Sequence, residues 1–329
     1  MFKNILHAIG NTPLVKVNFA SPAQIYAKLE YLNPGGSVKD RSALFMIETA
    51  EREGRLQPGG TIIDASSGNH GIAVAMIGRL KGYRVIITVS EKISQEKLKT
   101  IQAYGAEVIM CPAVAFIDDP RSYHSVAVKL HRETPNSFMP NQYFNIVNAQ
   151  AHFSLLGPEI WRQTNGTITH FFAGAGTGGT VSGVGKFLKS QNPQVKITAI
   201  DSINSFRSTN GQPKPYAIEG IGIDFETPVL NQAILDAIYP VSDAQAVNML
   251  QELAAQHGLL VGPSSGAVAY AVQQVAKDLT ANDVVVFICG DSGRAYLSKD
   301  FYQPSVDNQP VTTTTQQPGL QHLLQSSQH

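Results

Sequence analysis

The sequence predicts an α/β protein built from two open parallel sheets, and three observations carry that prediction. Short runs of apolar and β-branched residues recur, each followed by a turn rich in glycine or serine and then by a helical stretch. The first succession is strand 61–64, turn 65–71, helix 72–80 and strand 83–89. The second is strand 169–173, turn 174–180, a helix to about residue 189 and strand 196–200, with a further apolar run at 283–289 that closes on Gly290-Asp291-Ser292-Gly293. Strands that are apolar throughout and alternate with helices belong in parallel sheets covered on both faces. The two successions lie far apart in 329 residues, which predicts two α/β domains of ordinary size with a ligand cleft beyond the carboxyl ends of their strands.

Composition narrows the function classes. Hydrophobic residues make up 43% of the chain and charged residues 15%, so an extensive core is expected. The formal net charge is zero, which gives no basis for electrostatic capture of nucleic acid or an anionic membrane. The densest basic group, Lys92, Lys97 and Lys99, is spaced like an exposed helix face. Cys111 and Cys289 each follow an apolar run and match no metal or redox spacing, so both read as small buried hydrophobes. The opening residues carry neither a long apolar stretch nor a cleavage signature, and the expectation is a cytoplasmic protein. Residues 303–329 are rich in Gln, Thr, Ser and Pro and are expected to form a disordered tail.

Within that frame Lys39 is the most informative residue. It lies in Pro34-Gly35-Gly36-Ser37-Val38-Lys39-Asp40-Arg41, where the glycines make a turn, Ser37 is expected to cap a helix, and the apolar run after Ser42 continues it. A lysine in the first turn of a buried helix has its amine pushed toward neutrality by desolvation and by the positive end of the helix dipole. Only a neutral amine forms a Schiff base or removes a proton. The plainer reading is a solvated surface charge at a helix start, and spacing alone leaves both open.

Three further glycine- or serine-rich turns stand at helix starts. Gly176, Thr177, Gly178, Gly179 and Thr180 separate a strand from a helix, which suits an anion because backbone amides, a helix N-terminus and two hydroxyls converge there. The same stretch, counted from Gly174, also satisfies G-x-G-x-x-G, and Asp201 ends the next strand about twenty residues on, as a nicotinamide dinucleotide site requires. The loop alone supports either ligand. Ser66, Ser67, Gly68, Asn69 and His70 offer hydroxyls, an amide and free backbone donors at a helix start, a set suited to a small carboxylate, with an ordinary N-cap and a half-exposed His70 as the plainer reading. Ser264 opens a later helix and is either a cap or a neutral hydroxyl for a heteroaromatic nitrogen.

Taken together these segments resemble the fold-type II pyridoxal-phosphate enzymes of the cysteine synthase and cystathionine β-synthase group. Gly10-Asn11-Thr12-Pro13 and the lysine motif 33–41, the loop 66–71, Gln142-Tyr143 with Asn145, the turn 176–180, Glu219-Gly220-Ile221-Gly222 and Asp291-Ser292-Gly293 match that family in order over roughly residues 4–302. The resemblance implies the following. The chain divides into an N-terminal domain of residues 1–11 and 35–147, a C-terminal cofactor-binding domain of residues 12–34 and 148–302, and the tail. Pyridoxal 5'-phosphate lies in the cleft between the domains, carried by Lys39, which then serves as acid and base at Cα. Gly176, Thr177, Gly178, Gly179 and Thr180 bind its phosphate, Asn69 its ring hydroxyl and Ser264 its ring nitrogen. Ser66, Ser67, Gly68, His70, Gln142 and Gly220 bind the substrate.

The chemistry implied is β-replacement. A serine or O-activated serine loses its β-substituent and a thiol adds, giving cystathionine from homocysteine or cysteine from sulfide. The partners are thus an amino-acid donor and a thiol acceptor, with a homodimer and a docked C-terminal peptide of another protein also implied by the family. His70 and Ser66 stand where the family usually carries threonine, which brings β-elimination into view. Ile223 stands where a tyrosine is found in well-known members, which puts the acceptor pocket in question. An amine nucleophile in place of the thiol would yield a diamino acid, and a chain that kept the fold without catalysis would serve as a peptide-binding scaffold.

Overall fold

The computed structural model describes residues 2–114 and 117–303. The tail expected from 303 lies outside the described residues from 304 onward. The chain begins with β1 (Leu14–Lys16) and β2 (Gln24–Leu29), an antiparallel pair. It then leaves for a second body through α1 (Lys39–Arg52), β3 (Thr61–Ala65), α2 (Asn69–Leu80), β4 (Arg84–Ser90), α3 (Gln95–Ala103), β5 (Glu107–Cys111), α4 (Tyr123–Glu133) and β6 (Ser137–Phe138). After α5 (Val147–Ser154) and α6 (Leu156–Gln163) it returns to the first body with β7 (His170–Gly174), α7 (Gly179–Gln191), β8 (Lys196–Ser202), β9 (Ala237–Val241), α8 (Asp243–His257), α9 (Pro263–Val275) and β10 (Val284–Cys289).

The strands form a six-stranded sheet in the order β1-β2-β10-β7-β8-β9 and a four-stranded sheet in the order β5-β4-β3-β6. Every pairing except β1 with β2 is parallel. Parallel strands buried on both faces need apolar side chains throughout, and β3 and β10 are buried at every position. Helices α8 and α9 pack on one face of the large sheet and α6 and α7 on the other. The small sheet is covered by α1, α2 and α3 on one side and by α4 on the other. Cys111 and Cys289 are both buried, as expected of small hydrophobes. No helix among the described residues is long and apolar enough to cross a membrane.

Helix starts divide into two kinds. Ser94, Ser122 and Ser242 cap α3, α4 and α8 with their hydroxyls, and Gln245 completes a capping box on Ser242. By contrast α1, α2, α7 and α9, which all contribute to one cleft, begin after Val38, Gly68, Gly178 and Gly262, none of which bonds the helix through its own side chain; Ser37, Ser66 and Thr177, further back, each take one first-turn amide of α1, α2 and α7. Ser37 makes the bond expected of a cap, its Oγ accepting from Lys39 N at 3.2 Å across a Val38 that already has helical dihedrals, and the hydrogen-bonded helix begins at Lys39, one residue later than a cap at Ser37 implies.

Candidate active site

The cleft lies where those four helices converge at the carboxyl ends of the strands. Its wall includes Lys39, Asn69, Gly176, Thr177, Gly178, Thr180, Gly220, Ser264 and Asp291, and its unfilled volume, with the solvent at its mouth, is about 520 Å³. Lys39 is fixed there by its neighbours: Val38 N donates to Gly290 O at 2.9 Å, and Ser37 bridges Asp291. Burial lowers the Lys39 amine to about 8, with the nearby Asp291 pulling the other way. Asp40, next in sequence, accepts from Gly35 N at 2.5 Å and closes the turn before the helix.

The glycine turn has the geometry of an anion cradle. Gly178 has φ +83°, and a Cβ there would lie 2.6 Å from Leu230 Cβ, so only glycine fits. A Cβ at Gly176 would lie 2.8 Å from the Gly220 carbonyl oxygen, which shows how closely the two cleft walls approach. Thr177 Oγ1 accepts from Gly179 N at 3.2 Å and from Asn148 Nδ2 at 3.1 Å, and Thr180 Oγ1 lies 3.3 Å from His152 Nε2. Asn148 and His152, four residues apart on α5, thus brace the turn from behind. Gly179 itself is buried against Asn148 and does not line the cleft. The residues present fit a phosphorylated aromatic aldehyde: a glycine-rich anion site, a lysine amine of lowered basicity and the Ser264 hydroxyl within one cavity.

The serine loop lies to one side of that cavity. Ser66 is buried, and its Oγ accepts from Gly71 N at 3.0 Å and Gly68 N at 3.4 Å. Ser67 Oγ accepts from Ser90 N at 2.6 Å and so ties the loop to the end of β4. Gln142 is buried with Oε1 unpartnered among the described residues. His70 is not the half-exposed turn residue of the plainer reading; it is fully buried in the first turn of α2, its Nε2 3.7 Å from Asp64 Oδ2. Burial, together with the Lys39 charge, lowers His70 to about 3, and burial raises Asp64 to about 7.

Two further expectations change. Lys97 does not lie on an exposed face: it is 2% exposed, ion-paired to Glu219 of the opposite body and 3.2 Å from the Tyr296 hydroxyl. Asp201 is fully buried and accepts from Ser202 N at 2.9 Å, Ser205 Oγ at 2.7 Å and Arg207 Nε at 3.0 Å. A carboxylate committed in this way is not presented to a ribose, which removes the second half of the dinucleotide fingerprint. Asp291, Asn148 and His152 were not identified as site residues from sequence. The four-residue spacing of the last two, which puts them on one side of a helix, is the only local signal for them.

Comparison with known proteins agrees with this geometry. The pyridoxal-phosphate dependent enzyme family matches residues 5–290. A cystathionine beta-synthase of Apis mellifera is 44% identical over 90% of this chain, although the chain spans only 60% of that relative's length. A cysteine synthase of Staphylococcus aureus is 42% identical, with 91% of this chain and 96% of the relative covered. The crystal structure of an O-acetylserine dependent cystathionine beta-synthase from Helicobacter pylori superposes with a TM-score of 0.85 at 35% identity, covering 92% of this chain and 99% of that one. With a lysine of lowered basicity and a glycine anion cradle in one cleft, the chain belongs to the family of pyridoxal-phosphate dependent enzymes.

Proposed function

We propose that the chain catalyses β-replacement on serine or an O-activated serine by a thiol, with homocysteine as the acceptor that yields cystathionine and sulfide as the one that yields cysteine. The observation that carries this reading is the shared cleft of Lys39, the turn Gly176–Thr180 and Ser264. Pyridoxal 5'-phosphate, when bound, supplies the electron sink that lets a Cα proton leave and a Cβ substituent depart. Gly176, Thr177, Gly178 and Thr180 would hold its phosphate, with Gly179 behind them against Asn148, Asn69 and Ser264 would hold the ring, and Lys39 would carry it. Residues 1–11 and 35–147 form one closing body, and residues 12–34 and 148–302 the other.

This chain's residues then do four things. The Lys39 amine, neutral in part near pH 8, takes and returns the Cα proton. Ser264, in the cleft wall, would offer an uncharged hydroxyl to the ring nitrogen, which would keep the sink weak and favour prompt departure of a β-substituent. The N-terminus of α2, with Ser66, Ser67, Gly68, His70 and Gln142 around it, grips the substrate carboxylate, while Gly220 closes the opposite wall. Closure of the cleft excludes water during the exchange.

The test is a mass-spectrometric product assay with serine, O-acetylserine and O-phosphoserine, each paired with homocysteine or sulfide. Cystathionine or cysteine is expected with at least one donor. Release of pyruvate and ammonia with neither thiol consumed would replace this reading with β-elimination.

A further inference from the structure

Asp291 is a buried acid in the cleft wall to which neither the fold nor the proposed chemistry assigns a task. It is 3% exposed, and two backbone contacts fix its position: its antiparallel bridge to Ser37, made through the Val38 N to Gly290 O bond at 2.9 Å, and a bond from Gly262 N to its own carbonyl at 2.9 Å. The acid is thereby locked between the segment that carries Lys39 and the one that carries Ser264. A Cβ at Gly262 would overlap Asp291 Oδ1, so the carboxyl group has no room to swing on that side. Oδ2 accepts from Asn69 Nδ2 at 2.7 Å and from the Tyr296 hydroxyl at 2.5 Å, while Oδ1 has no hydrogen-bond partner among the described residues. A buried acid left half satisfied costs stability, so a purely structural role does not account for it.

Its partners continue in a line. Tyr296 is 1% exposed, and its hydroxyl accepts from Lys97 Nζ at 3.2 Å, with the ammonium 4.3 Å from the Tyr296 ring centre. Lys97 pairs with Glu219, and Glu219 pairs with Lys299. Asn69 stands at the start of α2 and Lys97 on α3, both on the small-sheet body, whereas Asp291, Tyr296 and Glu219 belong to segments packed on the large sheet. The line therefore crosses between the bodies at the cleft and again at α3.

We propose that Asp291 is a positioning residue that sets the Asn69 amide at the cofactor site and is itself held by a relay through Tyr296 to Lys97. One Asn69 N–H is committed to Asp291, which fixes the side chain and leaves its second N–H and its carbonyl for the cleft. A hydrogen bond to an acid is stronger than one between neutral groups, and it holds one rotamer where a solvated asparagine samples several. The seating of α3 is felt at Asn69 through Tyr296. This rests on the reading that pyridoxal phosphate occupies the cleft.

The experiment is an absorbance titration of the apoprotein with pyridoxal phosphate, for wild type and for Asp291→Asn, Tyr296→Phe, Lys97→Met and the Lys97→Met/Asp291→Asn double variant. Asp291→Asn is expected to weaken cofactor affinity about tenfold, the size of a lost charge-assisted hydrogen bond, and to move the visible band. Tyr296→Phe and Lys97→Met shift both readouts less and in the same direction. The double variant is no weaker than Asp291→Asn alone, because Lys97 acts through Asp291. A folded Asp291→Asn with wild-type affinity and band would overturn the proposal, as would full additivity in the double variant. If Asp291→Asn does not fold, wild-type behaviour of both Tyr296→Phe and Lys97→Met overturns it instead. A wild-type chain that binds no pyridoxal phosphate would overturn the cleft reading and this proposal together, whereas a normal wild-type band beside an unchanged Asp291→Asn sinks this proposal alone.

Discussion

A lysine amine does chemistry only in its neutral form, and burial brings Lys39 down to about 8 from an ordinary value near 10.5. Capture of pyridoxal phosphate by the apoprotein is therefore expected to quicken as pH rises through about 8, which stopped-flow absorbance measures directly. Lys39→Ala is expected to leave no cofactor fixable by borohydride and to lower turnover by about 10²–10⁴-fold or more. His70 gives a prediction of a different kind. Its folded value of about 3 lies below its ordinary 6.5, so between those values the unfolded chain binds more protons than the folded one. Stability from this group rises with pH across that window and is complete above it. Asp64, raised to about 7 from 3.8, slopes the opposite way between its own two values. His70→Gln removes only the first slope. The stability of the variant relative to wild type should fall as pH rises from about 3 to 6.5 and be level above, which urea unfolding at roughly pH 4, 5.5 and 7.5 would reveal. A difference independent of pH would mean that His70 is not held neutral by its burial.

Helix termini carry the site at the next scale up. The glycine turn at α7 works because Gly178 adopts a left-handed backbone and carries no side chain over the helix start, where Thr177 Oγ1 takes the Gly179 amide. Gly178→Ala adds strain at φ +83° and a contact with Leu230, a burden of about 1–3 kcal/mol if the turn is to keep its shape. The turn is expected to yield, and cofactor affinity in an absorbance titration should drop by about tenfold or more while the far-ultraviolet circular dichroism is kept. Such turns are legible in the sequence because their signal is local: glycines, a preceding apolar run and a following helix lie within a few residues of one another. Burial of a charge is not local. Lys97 looks like a surface lysine because its partner Glu219 is 122 residues away, and the Tyr296 ring that covers it is more distant still. His70 departs from its expected exposure for the same reason, since Asp64 and the body of α2 bury a residue that reads as part of a polar turn. The start of α1 differs from expectation by one position, the ordinary precision of a helix boundary read from sequence.

The two bodies are joined by a buried ionic cluster. Arg41 of α1 donates from Nε to Glu30 at 2.6 Å and from Nη1 to Glu159 of α6 at 2.9 Å, and Lys28 of β2 pairs with Glu159 as well. The same carboxylates accept from Asn11 N at 2.9 Å, Thr12 N at 3.0 Å and Thr12 Oγ1 at 2.6 Å, so two cations, two anions and the N-terminal segment form one closed set. Burial alone would raise Glu159, but Arg41 and Lys28 overcome it and hold the carboxyl down to about 2. A depressed carboxylate contributes stability that is fully present above its ordinary value near 4.5 and is lost as pH falls toward about 2. Glu159→Gln removes that contribution, so its acid-unfolding midpoint should lie at higher pH than that of wild type. Removing one member of a buried set leaves its partners unpaired, and Arg41→Met is expected to cost about 3–5 kcal/mol in denaturant unfolding. Because Arg41 belongs to the body of the small sheet and Glu159 to a helix on the large one, the loss falls on their union. Wild type should unfold in one transition, and Arg41→Met should separate the tryptophan signal of Trp161, on α6, from the far-ultraviolet signal of the whole chain. Coincident transitions in that variant, at wild-type midpoint, would show that apolar packing alone holds the bodies together.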